Sequence, residues 1–246
     1  MIVITRGFPI MLQDKDFKLI KDKKIRNLYQ TIYSHLKHID QLQTVDELKA
    51  HETLFKAYKN GYTSNHKMFK AFLKEHLSNP YIYIDWFQVF ITSKIDYLNR
   101  PKLKHLDELL KYCELQSTFG YLFLITDTLA KHHVGFINLI SRIDILSYIL
   151  IHDLDLDKTH LPYYPQNLIQ DFGIEYAMDG RLMKNEKYIA LWEYIHFKIQ
   201  GFIKELDTAL IQFQAHEVTL ITFYIEHIGL KLKQKRTYLM DYIKTL

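Results

Sequence analysis

At 246 residues the chain is long enough to bury one sizeable core, and 48% hydrophobic with 24% charged residues is an ordinary globular composition. Only 8 Gly and 5 Pro argue against a sandwich or barrel with many tight turns, so helices are the expected elements. A net charge of +4, spread along the chain without an aromatic-interleaved basic stripe, argues against nucleic acid as a partner, and the single cysteine, Cys113, excludes intramolecular disulfides and a cysteine-based metal site.

The amino-terminal stretch MIVITRGFPIMLQDKDFK has no basic leader or small-residue cleavage site, and no apolar run is expected to reach the ~20 residues of a membrane span. A soluble, cytoplasmic protein is the expectation. Ile25, Leu28, Tyr29, Ile32, Leu36 and Ile39 recur at spacings of three and four, which predicts a core-facing helix over 25–40 with Lys37 and His38 on its polar side. Thr44 followed by Glu47 is in capping-box register for a second helix, and Gly61 breaks the pattern. A short basic helix is expected over 65–76, closed by the turn at Ser78 to Pro80. The run 81–97 alternates in its first half but is too long for an ordinary strand, and it reads as a buried helix ended by Asn99-Arg100-Pro101. An amphipathic helix over 106–118 leads into an almost wholly apolar one over 119–129, where Gly120 is expected to let two helices approach closely.

The stretch 148–168 holds the sharpest chemical signal. An apolar helix ends in Asp153, Asp155 and Asp157 and runs into Leu161-Pro162. Residues four apart on an α-helix project about 40° from each other, so Asp153 and Asp157 share a face while Asp155 points away. Like charges at a helix C-terminus repel each other and meet the wrong end of the helix dipole, so the pair calls for a cation. Mg²⁺ held with a substrate phosphate is one reading, and a solvated helix end with an Asx-type turn is the other. Beyond Pro165, Gly173 and Gly180 punctuate a loop, then two long helices are expected over 185–213 and 217–244. There is no internal repeat or linker, and a single all-α domain over 1–246 is the simplest architecture.

With these segments placed, the chain resembles the squalene/phytoene synthase family, in particular the bacterial dehydrosqualene synthases. Ile32-Tyr33 with Lys37-His38-Ile39-Asp40 looks like the family's tyrosine helix entering its first aspartate motif. Asp107-Glu108-Leu109 and Tyr112-Cys113, followed by Gly120, look like its Leu and Tyr-Cys segment. Ile149 to Asp153 with Asp157 stands where the family has Asn-x-x-Arg-Asp-x-x-x-Asp, and Leu161-Pro162 resembles its Tyr-Leu-Pro. Tyr188 to Tyr194 resembles its late helix.

The resemblance implies a helical bundle around a central cavity, with two aspartate motifs facing each other across the mouth and holding Mg²⁺ against a prenyl diphosphate. Head-to-head transfer between two such substrates is the implied reaction, an alkyl-group transfer. Tyr33, Lys37, Asp40, Asp153 and Asp157 are the implied catalytic residues, the three aspartates the metal ligands, and Tyr112, Gly120 and His152 the substrate contacts. No dinucleotide fingerprint is present, so no NADPH step is expected.

The departures are specific. The first motif reads Asp40-Gln41-Leu42-Gln43-Thr44, one carboxylate where the family has three. Glu47 returns near the face of Asp40 only if the helix continues through Thr44, which conflicts with a cap there. In the second motif Ile149 replaces the family's Asn and His152 its Arg, removing a permanent cation suited to diphosphate. Impaired catalysis is expected, the alternative being a non-catalytic descendant acting as a lipid-binding or assembly module. His35-x-x-His38 is expected on a solvated face, His132-His133 in a loop, and Tyr81, Tyr83, Trp86, Phe87 and Phe90 in the core rather than a prenyl tunnel. Lys231, Lys233, Lys235 and Arg236 complement a helix dipole, with peripheral contact to an anionic membrane as the second reading.

Overall fold

Asp22 starts the first helix by accepting the backbone N–H groups of Lys24 and Ile25 at 2.7 and 3.1 Å, two donors that the helix itself leaves without partners. The computed structural model describes residues 12–61, 70–72, 74, 82–99, 103–126, 130–152, 164–177 and 182–244. Helix α1 spans Lys23–Gln41 and buries Leu28, Tyr29, Ile32, Leu36 and Ile39 of the predicted stripe, with Ile25 half-buried at its start. It stops where Leu42 turns extended. Thr44 then caps α2 (Val45–Lys59) in a complete capping box with Glu47, and Gly61 takes φ +84° just beyond it.

Of the basic helix expected over 65–76, residues 70–72 and 74 are helical and the others lie outside the described residues. Helix α3 (Asp85–Asn99) begins later than predicted. Residues 82–84 form a non-helical lead-in, in which the Tyr83 N–H donates to the Ile125 carbonyl at 3.0 Å. The early alternation of apolar residues falls on that non-helical lead-in, in which the Ile84 N–H donates to the Ile82 carbonyl at 3.0 Å, and Asp85 places a carboxylate in the first turn of the helix.

Helix α4 (Leu106–Gln116) breaks at Ser117, and α5 (Thr118–Thr126) follows, every residue buried. Helix α6 (Ala130–His152) is the hub, packed against α4, α5 and two later helices, α8 (Glu186–Ala209) and α9 (Ala215–Lys244). A short α7 (Gln166–Asp171) after Pro165 was not anticipated. A 3₁₀ turn at Leu210–Gln212 makes the break between α8 and α9. Among the described residues the only β-pairing is an isolated bridge between Tyr176 and Leu182, so the fold is all-α as expected. Buried residues from Leu12 to Leu239 join one hydrophobic cluster.

Three expectations need correction. His132–His152, 21 residues with a mean hydropathy of 1.7, is long and apolar enough to cross a membrane, contrary to the sequence reading; 61% of that stretch is buried within the fold, and it serves as the core helix. His132 and His133 are helical rather than in a loop, and the His133 ring packs 5.1 Å from Phe213. His35 is fully buried rather than solvated. Its Nε2 lies 3.1 Å from Nε2 of His51, and its ring packs against Phe72 and Phe87, so one imidazole supplies the polar partner that burial of the other requires. Phe87 and Phe90 are core residues as expected, Trp86 is half-buried, Tyr83 is exposed, and Tyr81 lies outside the described residues.

Gly120 brings α5 onto α6. A Cβ placed there would lie 1.9 Å from Ser141 Oγ and 3.1 Å from Ser141 Cβ. Gly120→Ala is therefore expected to lower stability by about 1–3 kcal/mol. Ser141→Ala in the same background is expected to recover part of that loss by removing the nearer atom, as measured by urea denaturation of the two variants.

Candidate functional site

Asp40, the acidic residue of the stretch that resembles the family's first motif, is buried by the fold. Its side chain is 1% exposed and forms an ion pair with the Lys94 ammonium of α3. Lys94 also donates to the Gln116 carbonyl at 3.2 Å, at the C-terminus of α4, so the cation meets both a carboxylate and the negative end of a helix. The surroundings are built to hold it. Ser93 Oγ donates to the Leu115 carbonyl at 2.7 Å, Gln116 Nε2 donates to the Ser93 carbonyl at 3.0 Å, and the Phe90 ring lies 4.7 Å from the ammonium.

A second buried carboxylate lies in the same electrostatic neighbourhood. Asp144, on α6, accepts from Ser117 Oγ at 2.6 Å and from the Tyr224 hydroxyl of α9. Burial pushes its pKa up to about 6, against the lowering effect of the two hydroxyls; the Asp40 charge adds to the rise and Lys94 opposes it. Burial, and then the Asp144 charge, likewise push the phenols of Tyr33 and Tyr224 well above their ordinary range. Tyr33 is itself committed, its hydroxyl accepting the Leu12 N–H at 3.0 Å. Around these groups the rings of Phe119 and Tyr224 lie 4.0 Å apart, and Tyr29 packs on Phe123.

The predicted residues fall into four groups. Tyr33 and Asp40 come together with Lys94 and Asp144 in this cluster, and Lys37 sits half-buried nearly one turn before Asp40. Tyr112 is buried against Tyr97 at 4.6 Å, and Gly120 is a helix-contact residue facing Ser141. His152, the last residue of α6, stacks 5.0 Å from Tyr148. Asp153 and Asp157 lie outside the described residues.

Lys94, Ser117, Asp144 and Tyr224 were missed. Asp144 carried a signal, a lone acid inside the apolar run LISRIDILSYILI, and Lys94 carried a similar one inside FQVFITSKIDY. A charge embedded in an apolar helix face needs a partner.

The divalent metal that the resemblance implies can be tested against the first rim. Asp40 is ion-paired, α1 ends at Gln41, and both Thr44 and Glu47 are used in the α2 cap. The Glu47 carboxylate accepts from the backbone of Gln43 and Thr44 and from the Thr44 hydroxyl, which lowers its pKa. Among the described residues no three His, Cys, Asp or Glu side chains group to hold a metal ion. The first rim does not fit one.

No family model matches the sequence, and no curated protein matches it. Among solved structures the chain is similar to a dehydrosqualene synthase crystallised with a ligand, at a TM-score of 0.72 and 15% identity, covering 94% of this chain and 91% of that one. At that identity the likeness establishes the fold, which is that of the isoprenoid synthases.

The raised pKa of Asp144 makes a signed prediction. The folded chain holds this proton more tightly than the unfolded chain, whose carboxyl titrates near 3.8, so Asp144 lowers stability as pH rises from about 4 to about 6. Asp144→Asn removes that contribution. The stability of the variant relative to the parent is expected to rise across this window by up to roughly 3 kcal/mol, read from denaturation curves at successive pH values.

Proposed function

We propose that the chain is an isoprenoid-binding protein on the synthase fold, taking a prenyl diphosphate or an isoprenoid lipid, in which ordinary head-to-head transfer is impaired. The likeness to a ligand-bound dehydrosqualene synthase over nearly the whole chain supports the ligand class. The end of α1 at Gln41 carries the impairment. Ionising an allylic carbon–oxygen bond leaves a cation and a highly charged diphosphate, so the barrier falls only where positive groups meet the leaving group as charge develops. Here the helix stops one residue after Asp40, and the only carboxylate that a longer helix would return to that face, Glu47, serves as a capping residue on α2.

His152 in place of the family's Arg removes a second contribution. Each loss of ~1.4 kcal/mol from transition-state binding costs about tenfold in rate, so such losses together reduce turnover by orders of magnitude. Asp153 and Asp157 are the carboxylates left for Mg²⁺ in any residual activity.

The test is paired. Calorimetric binding of farnesyl and geranylgeranyl diphosphate is measured alongside pyrophosphate release with Mg²⁺ or Mn²⁺. Binding without release above an Asp153→Ala control is the expected outcome. Release well above that control overturns the impairment, and absence of binding overturns the ligand class in favour of an assembly module.

Peripheral membrane contact is a second proposal about location, in the cytoplasm. Tyr238 and Tyr242 are exposed on α9 beside exposed Lys233 and Arg236. Arg236 also bonds Glu193 of α8 at 2.6 Å, which fits the helix end to the fold. Sedimentation with anionic vesicles is expected to carry the protein down in low salt, and equal recovery with neutral vesicles removes the proposal.

A further inference from the structure

We infer that Lys94 is a resident counter-cation that takes, at Asp40, the position a divalent ion would need, so that Asp40 is a structural clasp between α1, α3 and the end of α4. The reading of Asp40 as the first-rim aspartate rests on the proposed function; the ion pair itself does not.

The argument starts from what a buried carboxylate requires. Asp40 has 1% of its side chain exposed, so water does not compensate its charge, and a cation in direct contact is the remaining solution. A divalent ion would supply that charge at the cost of releasing tightly held water, and it demands several oxygen ligands in near-octahedral array. Lys94 supplies it through a covalently tethered ammonium. The three protons of that group are matched by more than the carboxylate, since the Gln116 carbonyl accepts one of them at 3.2 Å, and the Phe90 ring faces the same charge.

Position also matters. Lys94 reaches Asp40 from α3, and Ser93 beside it bonds the Leu115 carbonyl, so backbone and side-chain contacts on both sides fix the ammonium at the α4 terminus. A metal ion placed on Asp40 would have to displace this ammonium and leave it buried, close to a second charge of its own sign. Neither Gln41, Thr44 nor Glu47 is arranged to share a metal with Asp40.

The test needs no prenyl ligand, so its failure is distinct from failure of the proposed function. Thermal unfolding is measured for the full chain and for Asp40→Asn, Lys94→Met and the Asp40→Asn/Lys94→Met double variant, each in EDTA and in millimolar Mg²⁺ or Mn²⁺. Each single variant is expected to lose about 10 °C in Tm, because one buried partner is left behind, and the double variant to recover most of that loss. Any divalent-induced shift in the parent is expected to persist in Asp40→Asn. A Mn²⁺- or Mg²⁺-induced rise in the parent that Asp40→Asn abolishes overturns the inference. Should a single variant fail to fold, the double variant and the parent carry the same comparison: an equal divalent response in both supports the inference, and loss of the response in the double variant overturns it.

Discussion

Two buried carboxylates and one ammonium share the interior where α1, α3, α4, α6 and α9 converge, and the arrangement of this cluster follows from that imbalance of charge. Lys94 contacts Asp40 directly, so the pair approaches neutrality and also quiets the carbonyl end of α4. Among the described residues Asp144 has no such cation in contact; it is held by two hydroxyl donors, and its proton affinity rises because the negative charge that remains is poorly solvated. The cluster therefore meets its buried charge by two routes, a tethered cation at one acid and two hydroxyl donors at the other, with a proton added to the second only below about pH 6. Tyr33 and Tyr224 stay protonated beside them, since ionising either phenol would add a further negative charge to the same dry space.

The chemistry open to this interior is decided by a local event at its edge. A helix that continued through Thr44 would have stacked Glu47 two turns above Asp40. Instead Thr44 and Glu47 satisfy each other's backbone N–H groups, a pairing that depends only on residues three apart. The capping box is stabilising by about 1 kcal/mol in its own right, and it also turns the chain so that α2 can pack on α3. A short-range preference thus decides that Glu47 and Asp40 do not share one helix face.

The same contrast explains what could be read in the sequence. The stripe of α1, the box at Thr44 and the stop at Gly61 follow from residues within a few positions of one another and stand where they were expected, while the break before α9 comes a few residues earlier than the expected 214–216, at the turn Leu210–Gln212. Lys94–Asp40, Ser117–Asp144 and Tyr224–Asp144 are separated by 54, 27 and 80 residues, and no periodicity links them. His35 misled for the same reason: at its own position on α1 it reads as polar, and only the packing of His51 against it makes burial tolerable. Ile82 to Ile84 misled in the opposite sense, because a non-helical lead-in bonded to the end of α5 has the composition of a buried helix start. Asp144 was legible as an anomaly but not as a partner, since an acid in an apolar run declares a need without naming what meets it.

An acid buried in this interior has two physically stable forms, and this chain has both. A buried carboxylate stripped of its counter-charge is destabilising by several kcal/mol, so the acid must either gather hydrogen-bond donors and hold its proton more tightly or acquire a cation of its own. Asp144 is the first solution, held by the hydroxyls of Ser117 and Tyr224. Asp40 is the second, an acid that persists with Lys94 in contact. Retention of an acid at a motif position is therefore weak evidence for metal binding when a lysine lies within reach. The identity of the nearest cation, which only the fold reveals, separates a ligand from a clasp.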